Sequence, residues 1–187
     1  MRRFLPLVSV VFFLVSGLWA RPEEVRIDVS VCQLLRTPAA FNHRLIRVRG
    51  RASLWMEDFT LHPELSEAAC DKWPPVWLMF GGDVSTPTKF TGNDFRLPNS
   101  PDVKVEGFQL SLRKDINFKE FYKSISEQQP SKNTCKGNCE QHWTAATFTG
   151  RFFAGKSPQD KQVPFGRGYG HFGCCSLFVI TSVESLK

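Results

Sequence analysis

Leu45-Ile46-Arg47-Val48-Arg49-Gly50-Arg51-Ala52-Ser53-Leu54 alternates, one residue in two, between apolar or small side chains and arginine or serine. A period of two marks a strand with one face buried and one face wet, because successive side chains leave a strand on opposite sides. Arg47, Arg49 and Arg51 therefore share one face, and Ile46, Val48, Ala52 and Leu54 the other. Trp55, Glu57, Phe59 and Leu61 continue the alternation against Met56, Asp58 and Thr60, which predicts a second strand close behind the first.

Upstream, Ser30-Val31-Cys32-Gln33 reads as a capping box, and Val31, Leu34 and Leu35 give one apolar face before Pro38 stops a short helix. Downstream, His62 to Pro75 is a loop. Val76-Trp77-Leu78-Met79-Phe80, bounded by Gly81-Gly82, reads as a strand buried on both sides. Residues 83–102 are rich in Ser, Thr, Pro, Asn and Asp and read as a long surface connection. Val103 and Val105 share one phase while Phe108, Leu110 and Leu112 occupy the other, so a bulge is expected at Glu106-Gly107. Asn117 with Glu120 resembles a cap, and Phe118, Phe121, Tyr122 and Ile125 fall at helical spacing. After a polar stretch from Gln128 to Trp143, Ala146, Phe148, Gly150 and Phe152 alternate with Thr147, Thr149 and Arg151 as another strand. A Pro- and Gly-rich loop over 155–173 leads to a last strand, Leu177 to Val183.

Strands, then a helix, then two strands is the order of an OB-type barrel. The expected fold is mainly β (α+β): an OB-like small barrel with a short N-terminal helix and one helix between the third and fourth strands. A small β-sandwich or another α+β sheet competes, since strand order does not follow from periodicity.

Several stretches also carry a resemblance. Cys32-Gln33-Leu34-Leu35, Pro38, Phe41-Asn42 and Arg44 to Gly50 resemble the opening of exported bacterial proteins of uncharacterised function with an OB-like barrel. Glu57-Asp58-Phe59, Trp77-Leu78 and Gly168 to Cys175 fit the same likeness. It implies fold and export, carries no substrate, cofactor or catalytic residue, and treats the Cys135/Cys139 segment as an addition.

Compartment is read from the first residues. Met1-Arg2-Arg3 is a basic start, and Phe4 to Trp19 is an apolar run shorter than the roughly 20 residues of a membrane span. Residues 1–20 are expected to be a signal peptide cleaved after Ala20, leaving 21–187 as one OB-like domain outside the cytosol, periplasmic or extracellular. An uncleaved leader is the one expected route to a membrane. Removing Arg2 and Arg3 lowers the formal charge of +6 to +4, which permits weak attraction to anionic polymers without demanding it. Nucleic acid is not an expected partner of an exported chain.

Cys32, Cys70, Cys135, Cys139, Cys174 and Cys175 all follow the leader, and disulfides are the expected state in an oxidising compartment. Each bridge contributes roughly 2–4 kcal/mol. Spacing favours Cys135 with Cys139 as a local clip. A Cys174–Cys175 bridge needs a vicinal ring, so these two are expected to have separate partners, with Cys32 and Cys70 the candidates.

Gly168-Tyr169-Gly170-His171-Phe172-Gly173 matches G-x-G-x-x-G letter for letter. A dinucleotide site requires a strand before those glycines and a helix after them, whereas Cys174 onward reads as strand. The segment is expected to be a tight, bulged loop. Cys135, Cys139 and His142 offer three close ligands where zinc wants four, so no metal or cofactor is expected.

Glu57 lies in phase with Trp55, Phe59 and Leu61, where desolvation would raise its pKa, and with His171 it could form an acid/base pair. Alternatively, it satisfies a donor at a strand end. Arg47, Arg49 and Arg51 form a cationic stripe near Trp55 and Trp77, the combination with which OB barrels hold polymers, or a solvated outer face. The leading expectation is an exported binding or interaction module without catalysis, whose partner is an anionic envelope polymer or an envelope protein. A hydrolase using Glu57 and His171 is the alternative.

Overall fold

In a computed structural model the alternating arginine stretch is strand β2, Leu45–Trp55. The residues described are 24–55, 58–70, 74–82, 103–127, 142–155, 168–170 and 173–186. Before β2 come a short strand β1 (Ile27–Ser30), helix α1 (Val31–Arg36) and a 3-10 turn, Pro38–Phe41. After it follow β3 (Asp58–His62), a second 3-10 turn (Leu65–Cys70), β4 (Val76–Phe80), β5 (Val103–Val105), β6 (Phe108–Leu110), α2 (Ile116–Glu127), β7 (Thr144–Phe153) and β8 (Leu177–Leu186).

Five of these strands close on themselves in the order β2-β3-β4-β8-β7, with β7 returning to β2. Length is what lets β2 do this. One edge carries β7 along Leu45–Ala52, while the other pairs first with β1, in parallel, and then with β3 from Arg51 to Trp55. The β4–β8 contact is parallel and joins strands far apart in sequence. The architecture is the mainly β, OB-like small barrel, with α1 ahead of it and α2 between its third and fourth strands. Closure of β7 on β2 excludes a sandwich of two open sheets.

Alternation decides which side chains fill the barrel. Ile46, Val48, Ala52 and Leu54 of β2 meet Phe59, Leu61, Leu78, Phe80, Phe148, Phe152, Phe178 and Ile180, all at 2% exposure or less. Helix α2 lays Phe118, Phe121 and Ile125 into this core, the Phe121 ring standing edge-on to Phe148 at 5.0 Å. A second apolar cluster lies on the outside of the wall. Phe153, Leu177 and Val179 point outward from β7 and β8 and are covered by Val105 and Leu110 of the β5–β6 hairpin, with Trp77, Met79, Phe108 and Tyr169 around them. That cover is why β4 reads as buried on both sides.

Local signals hold in some places and shift in others. The capping box is present: Ser30 Oγ accepts from Gln33 N–H at 3.2 Å, and Gln33 Oε1 accepts from Ser30 N–H at 2.8 Å. The cap of α2 is Asp115 and not Asn117. Asp115 Oδ1 accepts from the Phe118 N–H at 3.0 Å, and that bond, with Arg113 beside it, holds the carboxyl below its ordinary value. Asn117 Nδ2 instead donates to the Glu184 carbonyl at 2.9 Å. Glu106-Gly107 is a two-residue hairpin turn, not a bulge: Val105 pairs with Phe108, so the phase of the apolar residues changes because the chain reverses.

The cysteine pairing also differs from expectation. Cys32 on α1 is bonded to Cys70 at the end of the second 3-10 turn, with 5.5 Å between their Cα atoms, and Cys174 is bonded to Cys175. The cause of the first pairing is the path of the chain. β2 and β3 run out and back, and return residue 70 to the start of α1. Cys135 and Cys139 lie outside the described residues, as do the leader and the 83–102 connection.

Candidate functional site

The arginine stripe forms on the outer face of β2, as alternation requires, and each guanidinium meets acceptors delivered from elsewhere. Arg47 Nε donates to Glu184 Oε2 at 2.6 Å, and its Nη1 lies 3.6 Å from Asp28. Arg49 Nε donates to Glu64 Oε1. Arg51 Nε donates to the Pro63 carbonyl at 2.7 Å, and its guanidinium lies 4.7 Å from the centre of the Trp143 ring. His62 stands edge-on to the same ring at 4.7 Å and shares a hydrogen bond of 3.1 Å with Thr60.

Glu184 anchors one end of the stripe. Besides Arg47, its carboxylate accepts from Arg26 Nη1 at 2.9 Å and from the Thr149 hydroxyl at 2.6 Å. Burial pushes its carboxyl up, but Thr149, Arg47 and Arg26 together bring it below the ordinary value. It therefore remains a carboxylate near neutral pH and holds the Arg47 guanidinium by its Nε.

Above Arg47 and Arg49 the surface opens into a groove of about 470 Å³. It is lined by Arg47, Arg49, Thr147 and Ser185 from β2, β7 and β8, by Asp28, Val29, Ser30 and Gln33, and by Glu64 and Glu67. Hydroxyls, an amide, two guanidinium groups and three carboxylates make it a hydrogen-bonding trough rather than an apolar slot. Asp28, Ser30 and Gln33 come from β1 and the start of α1, and Glu64 and Glu67 from just before and within the second 3-10 turn, segments that the Cys32–Cys70 bond ties together.

Chemically, the groove can exchange partners. The Arg49 and Glu64 side chains are 34% and 35% exposed, and an ion pair so wet contributes about 0–1 kcal/mol. Nε is the atom of Arg49 engaged with Glu64, and a guanidinium carries further N–H donors in a planar fork that fits a carboxylate or phosphate. An incoming anion can share Arg49 or replace Glu64 at little cost.

The other sequence candidates fall elsewhere. Trp77 lies on the outward side of β4 in the second apolar cluster, where a Cβ on Gly170 would come within 2.3 Å of the indole; only glycine, here at φ +74°, lets the loop lie against the ring. Of the G-x-G-x-x-G stretch, residues 168–170 and 173 are described, and backbone bonds draw them together. Gly168 N–H donates to the Gly173 carbonyl at 3.0 Å, Gly173 N–H donates to that of Gly170 at 3.0 Å, and Tyr169 bridges to Cys175. Glu57, His171 and the side chain of Trp55 lie outside the described residues. So does the Cys135/Cys139 part of the possible metal trio, and among the described residues no group of three or more His, Cys, Asp or Glu side chains could hold a metal ion.

Reading the sequence missed Glu64, Glu184, Thr147 and Trp143. Glu64 stood in a segment read as loop, and Glu184 lies 137 positions from the arginine it binds. Trp143 carries a local signal, since it opens the Thr144–Phe153 strand, but nothing local places it against Arg51. No protein-family model, no curated protein and no solved structure matches this chain.

Proposed function

We propose that this protein is an exported binding module that holds an extended anionic ligand along the outer face of β2. The ligand runs from the Arg47/Arg49 groove toward the cluster of Arg51, Trp143 and His62. Export is the reading of the basic and apolar first twenty residues, and the Cys32–Cys70 disulfide fits an oxidising compartment. It is also the compartment of the OB-like proteins that the sequence resembles. The envelope then supplies the ligand class, an acidic polymer or the acidic surface of an envelope protein.

The outward arginines Arg47, Arg49 and Arg51 beside Trp143 carry this reading, the carboxylates Asp28, Glu64 and Glu67 of the groove being internal competitors that an anionic ligand has to displace. Positive charge beside an aromatic ring is the pairing by which OB barrels hold chains of repeating units, charge taking the anions and the ring taking a flat face. Here the ring is Trp143, and the charges in the groove are held by carboxylates of which Glu64, on Arg49, is the exchangeable one.

Oligogalacturonate, a uronic-acid polymer, is a suitable probe, with neutral dextran as control. Arg49→Gln is expected to weaken binding about tenfold, the loss of one charge-assisted contact of roughly 1.5 kcal/mol. Glu64→Gln removes the internal competitor on Arg49 and is expected to strengthen it. Both are read by isothermal titration at low and high salt, with affinity falling as salt rises. Equal affinity for the wild-type protein and both variants would remove the groove from the account.

A further inference from the structure

Hairpin β5–β6 is a two-stranded sheet of its own, separate from the barrel sheet. Such a hairpin is marginal in isolation, so its position depends on what fastens it. One fastening is apolar: Val105 and Leu110 close over Phe153, Leu177 and Val179. A second is the Phe108 ring, which lies 4.3 Å from the Arg151 guanidinium and 5.1 Å from the His43 ring.

The third fastening is at the tip. Glu106 and Gly107 form the turn with φ of +45° and +88°. A turn of this kind favours Asn or Gly at its first position, and a glutamate there is disfavoured because its Cβ crowds the backbone in the left-handed region. The carboxylate gives the reason for a glutamate at this place. Its Oε2 lies 2.6 Å from His43 Nε2, and its Oε1 accepts from the Tyr169 hydroxyl. His43 also sits at positive φ, +62°. Two non-glycine residues in a disfavoured conformation thus meet in one contact, and strain of that kind persists only where the surrounding structure over-determines it.

We propose that β5–β6 is a hinged cover, latched by Glu106 onto His43 and Tyr169, that opens as a unit while the barrel stays folded. Its pivot is the carboxyl-terminal side. There Gly82 N–H donates to the Leu110 carbonyl and Arg113 N–H to the Thr181 carbonyl, both at 2.8 Å. Opening bares the outer wall of β7 and β8, with Phe153, Leu177 and Val179, while the Gly170 loop still lies against Trp77. The proposal is independent of the arginine groove, which lies over β1, β2 and their neighbours.

Native-state hydrogen exchange on the full chain tests it. In the wild-type protein the amides of β5 and β6 exchange faster than those of β2 and β7. Glu106→Asn makes the turn easier while removing the long carboxylate, and it is expected to accelerate the hairpin amides about tenfold, leave the barrel amides unchanged and raise binding of the apolar dye anilinonaphthalene sulfonate. Tyr169→Phe removes one hydrogen bond only, accelerates the same amides less, and carries the test should Glu106→Asn fold poorly. Hairpin amides that slow or stay unchanged in the variants would overturn the latch. Hairpin and barrel amides exchanging at one common rate in the wild-type protein would overturn the cover.

Discussion

Replacing Gly150 by alanine is expected to leave little folded protein. Gly150 sits in β7 between Phe148 and Phe152, all three on the inward side, where the β7–β8 register shifts between Thr149 and Gly150. A Cβ at this position would stand 2.1 Å from the Val179 carbonyl oxygen and 2.8 Å from the Phe178 ring. The first of these is backbone, held in the ladder that closes the barrel, and it cannot withdraw as a side-chain tip could. The cost therefore exceeds the roughly 1–3 kcal/mol typical of overpacking and takes a large share of the roughly 5–15 kcal/mol that keeps a domain folded. Soluble yield and thermal melting by circular dichroism read the effect. A variant that melts with the wild-type protein would mean that β7 and β8 do not approach here, and the barrel drawn above would be wrong at its seam.

Breaking the Cys32–Cys70 bond is expected to be the second largest loss. The bond closes a loop with a sequence separation of 38, which spans β2, β3 and the second 3-10 turn. Chain entropy assigns such a loop about 4 kcal/mol. The double variant Cys32→Ala, Cys70→Ala, and the wild-type protein under a dithiol reductant, should both unfold at lower denaturant, as followed by tryptophan fluorescence. The bond also ties α1, with Gln33, to the turn that carries Glu67, so the groove should lose its binding of an acidic probe at reductant concentrations where the barrel is still folded. Coincident unfolding curves with and without reductant would contradict a stabilising bridge and would weaken the case for an oxidising compartment.

How far the sequence could be read is clearest in the strands. Residues 45–54 and 146–152 alternate without interruption because one side faces a core of phenylalanine and aliphatic side chains and the other faces water, and both strands stand where that pattern puts them. The Ser30/Gln33 box was equally legible, being a contact between residues three apart. β1 escaped notice because Ile27–Ser30 is four residues long and leads directly into α1, so its alternation has no room to show. The hairpin turn at Glu106 was hidden by the glutamate itself, which does not advertise a reversal as Asn-Gly would. The site was the least legible part. Alternation yields the shared face of Arg47, Arg49 and Arg51, but their acceptors come from β1, from the chain after β3 and from β8, and only the path of the backbone brings these together. Disulfide pairing failed for the same reason: the return of residue 70 to α1 is a property of strand order.

The claim on which the functional account depends is that the outer face of β2 is where this protein meets its ligand. Backbone amide chemical shifts followed by NMR during titration of the ¹⁵N-labelled protein with oligogalacturonate test it most directly. The account predicts that the amides of Arg47, Arg49, Arg51, Glu64, Thr147 and Ser185 move together and saturate, that dextran moves none of them, and that the amides of β4, which does not adjoin β2, stay still. Shifts confined to the β5–β6 hairpin or to the Gly168–Gly170 loop, or no saturable shifts at all, would contradict it.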